Sequence, residues 1–216
     1  MRFADRIDAA EQLADALQAW RGRHPLVLAI PRGALPMGRV LADRLQGELD
    51  VVLVRKLRAP FSPEYAIGAI DELGWAWVAP HAHAAGADDR YIEGEKRAQL
   101  QVLRERRSRY TPGRGAADPT GRVVIVVDDG LATGSTMLAA LHAVRTRAPQ
   151  RLVCAVPVAS REAIEVVRPY ADEVVCLHAP PDFHAVGQFY KVFGQVDDEE
   201  AIALLGAPPR PAPPVP

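Results

Sequence analysis

Cysteine is scarce: the 216 residues hold two, Cys154 in RLVCAVPV and Cys176 in EVVCLHA, both in strand-like apolar runs without metal-ligand spacing. That argues against a disulfide-stapled secreted scaffold or a cysteine metal site, and predicts two buried free thiols in a reducing compartment. No apolar run approaches the length of a membrane-spanning helix. The opening MRFADRIDAAEQLADAL lacks the basic start and unbroken apolar stretch of a secretory signal, so the expectation is a cytoplasmic protein with no membrane partner. An excess of either charge is missing too. The 26 Lys and Arg against 27 Asp and Glu give a formal net charge of -1, which offers no global attraction for nucleic acid. A G-x-x-x-x-G-K-[ST] loop is absent, since Gly130 and Gly134 are one residue too close and no lysine follows; so are G-x-G-x-x-G and any internal repeat. His81 and His83 form a pair without a third ligand and read as bystanders rather than a metal site.

What is present suits one globular domain, 49% hydrophobic and 25% charged. Phe3, Ile7, Ala10, Leu13, Leu17 and Trp20 recur at helical spacing, predicting an amphipathic helix that ends near Gly22. LVLAI, LDVVLV, GRVVIVVDD, RLVCAVPV and EVVCLHA are short continuous apolar runs, as expected of strands covered on both faces. Between them, MGRVLADRLQG closed by Gly47, residues 133–147, and SREAIEVVRPY with Ser160 as N-cap read as helices. AIGAIDELGWAWVA alternates around a break at Glu72-Leu73-Gly74, which predicts a hairpin, and residues 88–110 read as a long charged helix.

This alternation predicts an α/β fold: an open, mainly parallel five-stranded sheet with helices on both faces. The expected organisation is a single domain over residues 1–206, with a hairpin and charged-helix insertion at 58–115 and a small C-terminal hood at 179–206. The tail 207–216, APPRPAPPVP, suits neither helix nor central strand and is expected to be disordered. Arg97, Arg104, Arg106, Arg107, Arg109 and Arg114 face only Glu93, Glu95 and Glu105; the plainer reading is a solvated helix face rather than an anion site.

The informative stretch is VVIVVDDGLATGSTM, residues 123–137. Two adjacent acids, Asp128 and Asp129, close a strand with no water on either face, at the end where open parallel sheets bind ligands. Thr133, Gly134, Ser135 and Thr136 follow where a helix begins. Helix N-termini offer unpaired N–H groups and the positive dipole end, which suit a phosphate monoester, and the hydroxyls add donors. Carboxylates beside such a site would repel the phosphate unless hydroxyl donors lay between them, and the vicinal hydroxyls of a sugar satisfy that requirement. The spacing therefore describes a ribose 5-phosphate moiety.

These residues resemble the type I phosphoribosyltransferases, whose hallmark is a strand, two acidic residues and a T-G-x-T turn opening a helix. The resemblance implies the fold of that family. It implies that Asp128 and Asp129 hold the 2′- and 3′-hydroxyls of phosphoribosyl pyrophosphate while Ala132, Thr133, Gly134, Ser135 and Thr136 wrap its 5-phosphate. It places a pyrophosphate loop, often with a cis peptide, at LAIPRGALPMG, with Arg32 as cation and Gly33 presenting an inward amide. Arg55 and Lys56 in VLVRKL resemble the basic dipeptide that begins the catalytic loop of several members.

The whole chain is similar to stand-alone bacterial members of the family, a membership that does not imply the substrate. The implied activity is Mg²⁺-dependent transfer of the phosphoribosyl group to a nitrogenous, nucleobase-like acceptor with release of pyrophosphate, the catalytic set being Arg32, Lys56, Asp128 and Asp129. Mg²⁺ would be held mainly by the ligand and water, near the acidic pair. The alternative is a phosphoribosyl-pyrophosphate sensor without transferase activity. Dimers are common among such proteins, so a homodimer is an expected assembly.

Ala132 stands where the hypoxanthine and guanine enzymes carry an aspartate, which speaks against a 6-oxopurine acceptor unless Glu64 or Asp71 substitutes. In the hood, HAPPDFHAVGQFY offers Phe183, Phe189 and Tyr190 for stacking and Asp182 or His184 for a ring's edge. Core filling is the competing reading of those aromatics.

Overall fold

The computed structural model describes residues 2–113 and 115–207; Met1, Arg114, the side chain of Glu64 and residues 208–216, which hold nearly all of the proline-rich tail, lie outside the described residues. In chain order the first half comprises α1 (Arg6–Ala16), β1 (Leu26–Ala29), α2 (Leu35–Leu45), β2 (Glu48–Val51), β3 (Val54–Ala59), β4 (Ser62–Asp71), β5 (Ala76–Val78) and α3 (Asp89–Tyr110). The second half comprises β6 (Val123–Val127), α4 (Ser135–Arg145), β7 (Arg151–Val158), α5 (Arg161–Val167), β8 (Glu173–His178) and α6 (Asp198–Gly206).

Local chemistry sets several boundaries. The Asp5 side chain accepts the N–H groups of Ile7 and Asp8 at 2.8 and 2.9 Å and starts α1. Ser160 accepts from the Ala163 amide at 3.0 Å and starts α5, as its place in the sequence predicts. The end of α2 falls one residue before the expected Gly47, because Gln46 takes the left-handed turn (φ 59°).

Five strands form one parallel sheet in the order β2-β1-β6-β7-β8. Alternate residues of each continuous apolar strand feed opposite cores. Val27, Ala29, Ile125 and Val127 pack with α1 and α2, whereas Leu26, Leu28, Val124 and Val126 pack with α4 and α5. Each of the buried Val, Leu and Ile side chains contributes roughly 1.5–3 kcal/mol of transfer free energy. From β1 the chain crosses to β2 on one side, and from β6 it crosses to β7 and β8 on the other. The order therefore reverses between β1 and β6, and their carboxyl ends open a crevice there.

LDVVLV is not one strand. β2 ends at Val51, and Val54 begins a separate three-stranded antiparallel sheet, β3-β4-β5. The amide of Val52 still bonds to Ala29 in the parallel sheet (3.1 Å), while the carbonyl of Leu53 already receives Glu72 of the hairpin turn (3.2 Å). Both sheets are buried here, so the apolar pattern runs through unbroken. Cys176 also departs from expectation: Cys154 is buried, but Cys176 on the edge strand β8 is only half-buried.

The charged helix α3 lies over the small sheet through a polar seam, so its arginines are not all solvated. Arg58 donates to Glu95 through its backbone N–H (3.1 Å) and Nε (2.8 Å), and Arg55 Nε donates to Gln99 (2.5 Å). Arg107 donates to Glu72 at 2.6 and 2.9 Å, to the Val51 carbonyl at 3.0 Å and to the buried Asp50 at 3.3 Å. This one guanidinium bridges β2, the β4–β5 turn and α3. Replacement Arg107→Ala strips the cation from two carboxylates in a water-poor seam and is expected to cost about 3–5 kcal/mol in urea unfolding. A loss under about 1 kcal/mol would contradict the bracing role.

Candidate active site

The crevice is built from two loops and a turn. Ile30 donates to Val127 at 3.0 Å, holding the loop after β1 beside β6, and the Pro31–Arg32 peptide in that loop is cis. Gly33 packs directly on Asp129, where an added Cβ would collide with the carboxylate; close approach, not turn geometry, requires glycine there. The Arg32 guanidinium stands 3.5 Å from Asp198 at the start of α6. The same carboxylate accepts from the Tyr110 hydroxyl at 2.8 Å and pairs with Arg109 at 3.3 Å.

The two acids diverge. Asp128 lines a cleft of about 180 Å³ together with Lys56, the turn Gly130–Met137 and Val186. Its Oδ1 accepts the Asp129 amide at 2.9 Å. Burial, reinforced by the adjacent charge of Asp129, pushes its pKa well above the ordinary carboxylate range, and Arg6 and Lys56 only partly pull it back. Asp129 turns the other way. Its Oδ2 accepts from Arg6 Nε at 3.0 Å and Nη2 at 2.8 Å, and its backbone carbonyl accepts the Tyr190 hydroxyl at 2.6 Å. Burial raises its pKa as well, against the pull of Arg6. Its own backbone amide adds a further downward pull, and the carboxylate does not line the cleft that Asp128 faces.

The turn after the acids is stitched down at both ends. Leu131 donates to Val158 at 2.9 Å and accepts from Ser160 at 3.0 Å, and the Ser160 hydroxyl donates to the Ala132 carbonyl at 2.8 Å. Gly134 takes the left-handed conformation (φ 77°) immediately before α4, which a side chain would resist. Thr133 and Ser135 share a hydroxyl–hydroxyl hydrogen bond at 2.7 Å. The amides of Ala132, Thr133, Gly134, Thr136 and Met137 have no protein acceptor among the described residues, so their N–H groups are available to an anion.

Alternation along β3 separates the basic dipeptide. Lys56 is exposed into the cleft, while Arg55 turns to α3, where burial and the neighbouring charges of Arg106 and Arg58 lower its pKa. In the hood, Phe189 and Tyr190 are buried and offer no free face, which corrects the stacking role considered for them. Phe183 is half-buried and stacks on Phe189 with ring centres 5.4 Å apart; Asp182 and His184 are exposed. Asp71 is buried and accepts the Leu73 and Trp75 amides at 2.9 Å each, so it braces the β4–β5 turn and cannot substitute as a proton carrier at the cleft. Glu64, the other candidate, has its side chain outside the described residues. His81 and His83 lie in the loop before α3, with nearest polar partners Ala66 O at 3.3 Å and Asp89 at 3.6 Å.

Sequence reasoning missed Arg6. Its position in the first helical turn reads as ordinary surface charge, and no local pattern ties it to residue 129.

The sequence model of the phosphoribosyl transferase domain matches residues 4–192. A Mycobacterium tuberculosis (strain H37Rv) protein named "Putative phosphoribosyl transferase" is 42% identical over 209 residues, covering 94% of this chain and 46% of the relative. The chain thus spans about half the length of that curated relative. The crystal structure of TT1426 from Thermus thermophilus superposes with a TM-score of 0.80 at 49% identity, covering 95% of this chain and 98% of the other.

The strained ionisation of Asp128 gives a stability test. A carboxyl whose folded-state pKa is raised destabilises the fold as pH climbs from its unfolded value toward the folded one, and the loss is complete above that. Asp128→Asn keeps the acceptor for the Asp129 amide and removes the charge. At pH 7.5 it is expected to raise Tm by about 2–4 °C, a gain that shrinks as pH is lowered. An unchanged or lower Tm at pH 7.5 would show that the pair is electrostatically relaxed.

Proposed function

The chain belongs to the phosphoribosyl transferase domain family, and we propose that it transfers the 5-phosphoribosyl group of phosphoribosyl pyrophosphate to a nitrogenous, nucleobase-like acceptor, releasing pyrophosphate. One observation carries this reading. A cleft-facing carboxylate, Asp128, sits one short turn from a set of unpartnered amides at a helix N-terminus, so sugar hydroxyls and a phosphate monoester are served by one βα junction.

In this reading Asp128 accepts a ribose hydroxyl inside the cleft, Asp129 meets the neighbouring hydroxyl from beside it, and residues 132–136 hold the 5-phosphate. Lys56 meets the leaving pyrophosphate, as does Arg32 once it exchanges Asp198 for the ligand. The C1–O bond breaks with its electron pair passing to pyrophosphate, and the acceptor's nitrogen lone pair forms the new C1–N bond. Positive charge gathers on the sugar in between, where the acidic pair opposes it; preorganised charge of this kind is commonly the largest catalytic contribution.

The donor set suits Mg²⁺. Asp128 and Asp129 are hard oxygen donors, and a cation beside them would oppose the rise that burial and the neighbouring Asp129 charge impose on the Asp128 pKa. The cation would lie near that pair, bound mainly through ligand and water, and would stabilise the leaving group. Ala132 has no proton to exchange with an acceptor, which favours acceptors that need none at that place. Residues 179–206 form the acceptor side, with Phe183 and Asp182 nearest the role.

The decisive assay mixes the protein, Mg²⁺ and phosphoribosyl pyrophosphate with bases, amines and carboxamides and follows pyrophosphate release. Tight binding without release for any acceptor would favour the sensor. Arg32→Ala is expected to weaken pyrophosphate binding about tenfold, roughly 1.4 kcal/mol, and ribose 5-phosphate binding far less. Equal losses in calorimetry would remove Arg32 from the pyrophosphate role.

A further inference from the structure

Arg6 is separated from the acidic pair by more than half the chain, yet every arm of its guanidinium is committed around it. Nε and Nη2 grip Asp129 Oδ2, and Nη1 donates to the Gly194 carbonyl at 2.6 Å. The guanidinium plane covers the Phe193 ring, 3.9 Å from its centre. Phe193 stacks on Tyr190 with ring centres 4.9 Å apart, and the Tyr190 hydroxyl returns to the Asp129 carbonyl. The contacts close a circuit: Asp129 carboxylate, Arg6, Phe193, Tyr190, Asp129 carbonyl.

The circuit is anchored from outside. Phe3 donates to Phe189 at 2.8 Å, Lys191 to Phe3 at 2.9 Å and Val192 to Ala4 at 2.9 Å, so the chain before α1 and the segment 189–194 are paired along the backbone. Gly33 of the loop after β1 lies within reach of both Asp129 Oδ2 and Arg6 Nη2. Arg6 is thus the point where the acidic pair, the candidate pyrophosphate loop and the candidate hood meet.

We propose that Arg6 is a positioning residue: gripping Asp129 Oδ2 through two N–H groups and braced on Phe193 and Gly194, it fixes the carboxylate beside Asp128 and couples ribose binding to the seating of segment 190–194. The proposal rests on the reading of the acidic pair as the ribose site. A lysine cannot reproduce the grip, because only a planar fork reaches one carboxylate oxygen through two N–H groups while a third N–H meets a carbonyl on the far side. The cation also opposes the rise that burial imposes on the pKa of both acids.

Calorimetry of phosphoribosyl pyrophosphate with Mg²⁺ on the full chain provides the test, using wild type, Arg6→Gln, Asp129→Asn and the double variant, each with its Tm. Arg6→Gln is expected to bind about tenfold more weakly, and the double variant no more weakly than Asp129→Asn alone, because Arg6 acts through that carboxylate. In Arg6→Ala, millimolar guanidinium is expected to restore most of the lost affinity, which a general packing defect would not allow. Wild-type affinity in Arg6→Gln, losses that multiply in the double variant, or no rescue would each overturn the proposal. Should Arg6→Gln not fold, Arg6→Lys takes its place in the same cycle, with the same expectations. A wild-type protein that fails to bind phosphoribosyl pyrophosphate would remove the ribose-site reading, and this inference with it; binding by wild type with an indifferent Arg6 variant removes only the latter.

Discussion

Two ionisable acids side by side at the end of a buried strand are an electrostatic burden, and the surrounding structure is arranged around that constraint. Burial disfavours the charged form of both and raises the pKa of each, and at Asp128 the neighbouring charge of Asp129 adds to the rise. The burden is divided by geometry. Asp129 turns to a cation supplied by α1, while Asp128 stays in the cleft, within Coulombic range of the cations Arg6 and Lys56. That leaves Asp128 as the carboxylate of the pair that faces the cleft.

The position of the pair follows from sheet topology. β1 and β6 are neighbours from which the chain departs in opposite directions, so no crossover covers their carboxyl ends. Loops that the sequence separates by about a hundred residues therefore share one floor: the segment after β1 with Arg32 and Gly33, and the segment after β6 with the acids and the phosphate turn. The small sheet adds Lys56 from above. Its own attachment depends on a polar seam in which Arg58, Arg55 and Arg107 meet α3 and its neighbours.

The proposed acceptor side is built differently from the proposed phosphate side. The phosphate side is backbone amides held by strand-end hydrogen bonds, an arrangement that needs few particular side chains. The segment 183–194 is instead a run of aromatics whose inner members, Phe189 and Tyr190, fill space against Phe3 and the acidic pair. The exposed Asp182 and His184 and the half-buried Phe183 can vary without disturbing the proposed ribose site. Membership of the phosphoribosyl transferase family accordingly speaks to the phosphate side of this chain more directly than to its acceptor.

The parallel sheet, most helices, the Ser160 cap and the strand–acid–turn motif were legible from residue order alone, because each depends on local periodicity or on a few adjacent side chains. Periodicity could not reveal the break at Val52-Leu53, since both sheets bury that stretch and the apolar run shows no seam. Nor could it show that Arg107 braces two carboxylates while other arginines on its helix face solvent, or that Asp71 serves a turn rather than the cleft. Arg6 is the sharpest case. Its partner lies 123 positions away, and a contact of that separation exists only once α1, β6 and the segment 189–194 have packed. Local order determined which groups this protein owns; the closing of the chain on itself decided which of them face the ligand and which neutralise one another.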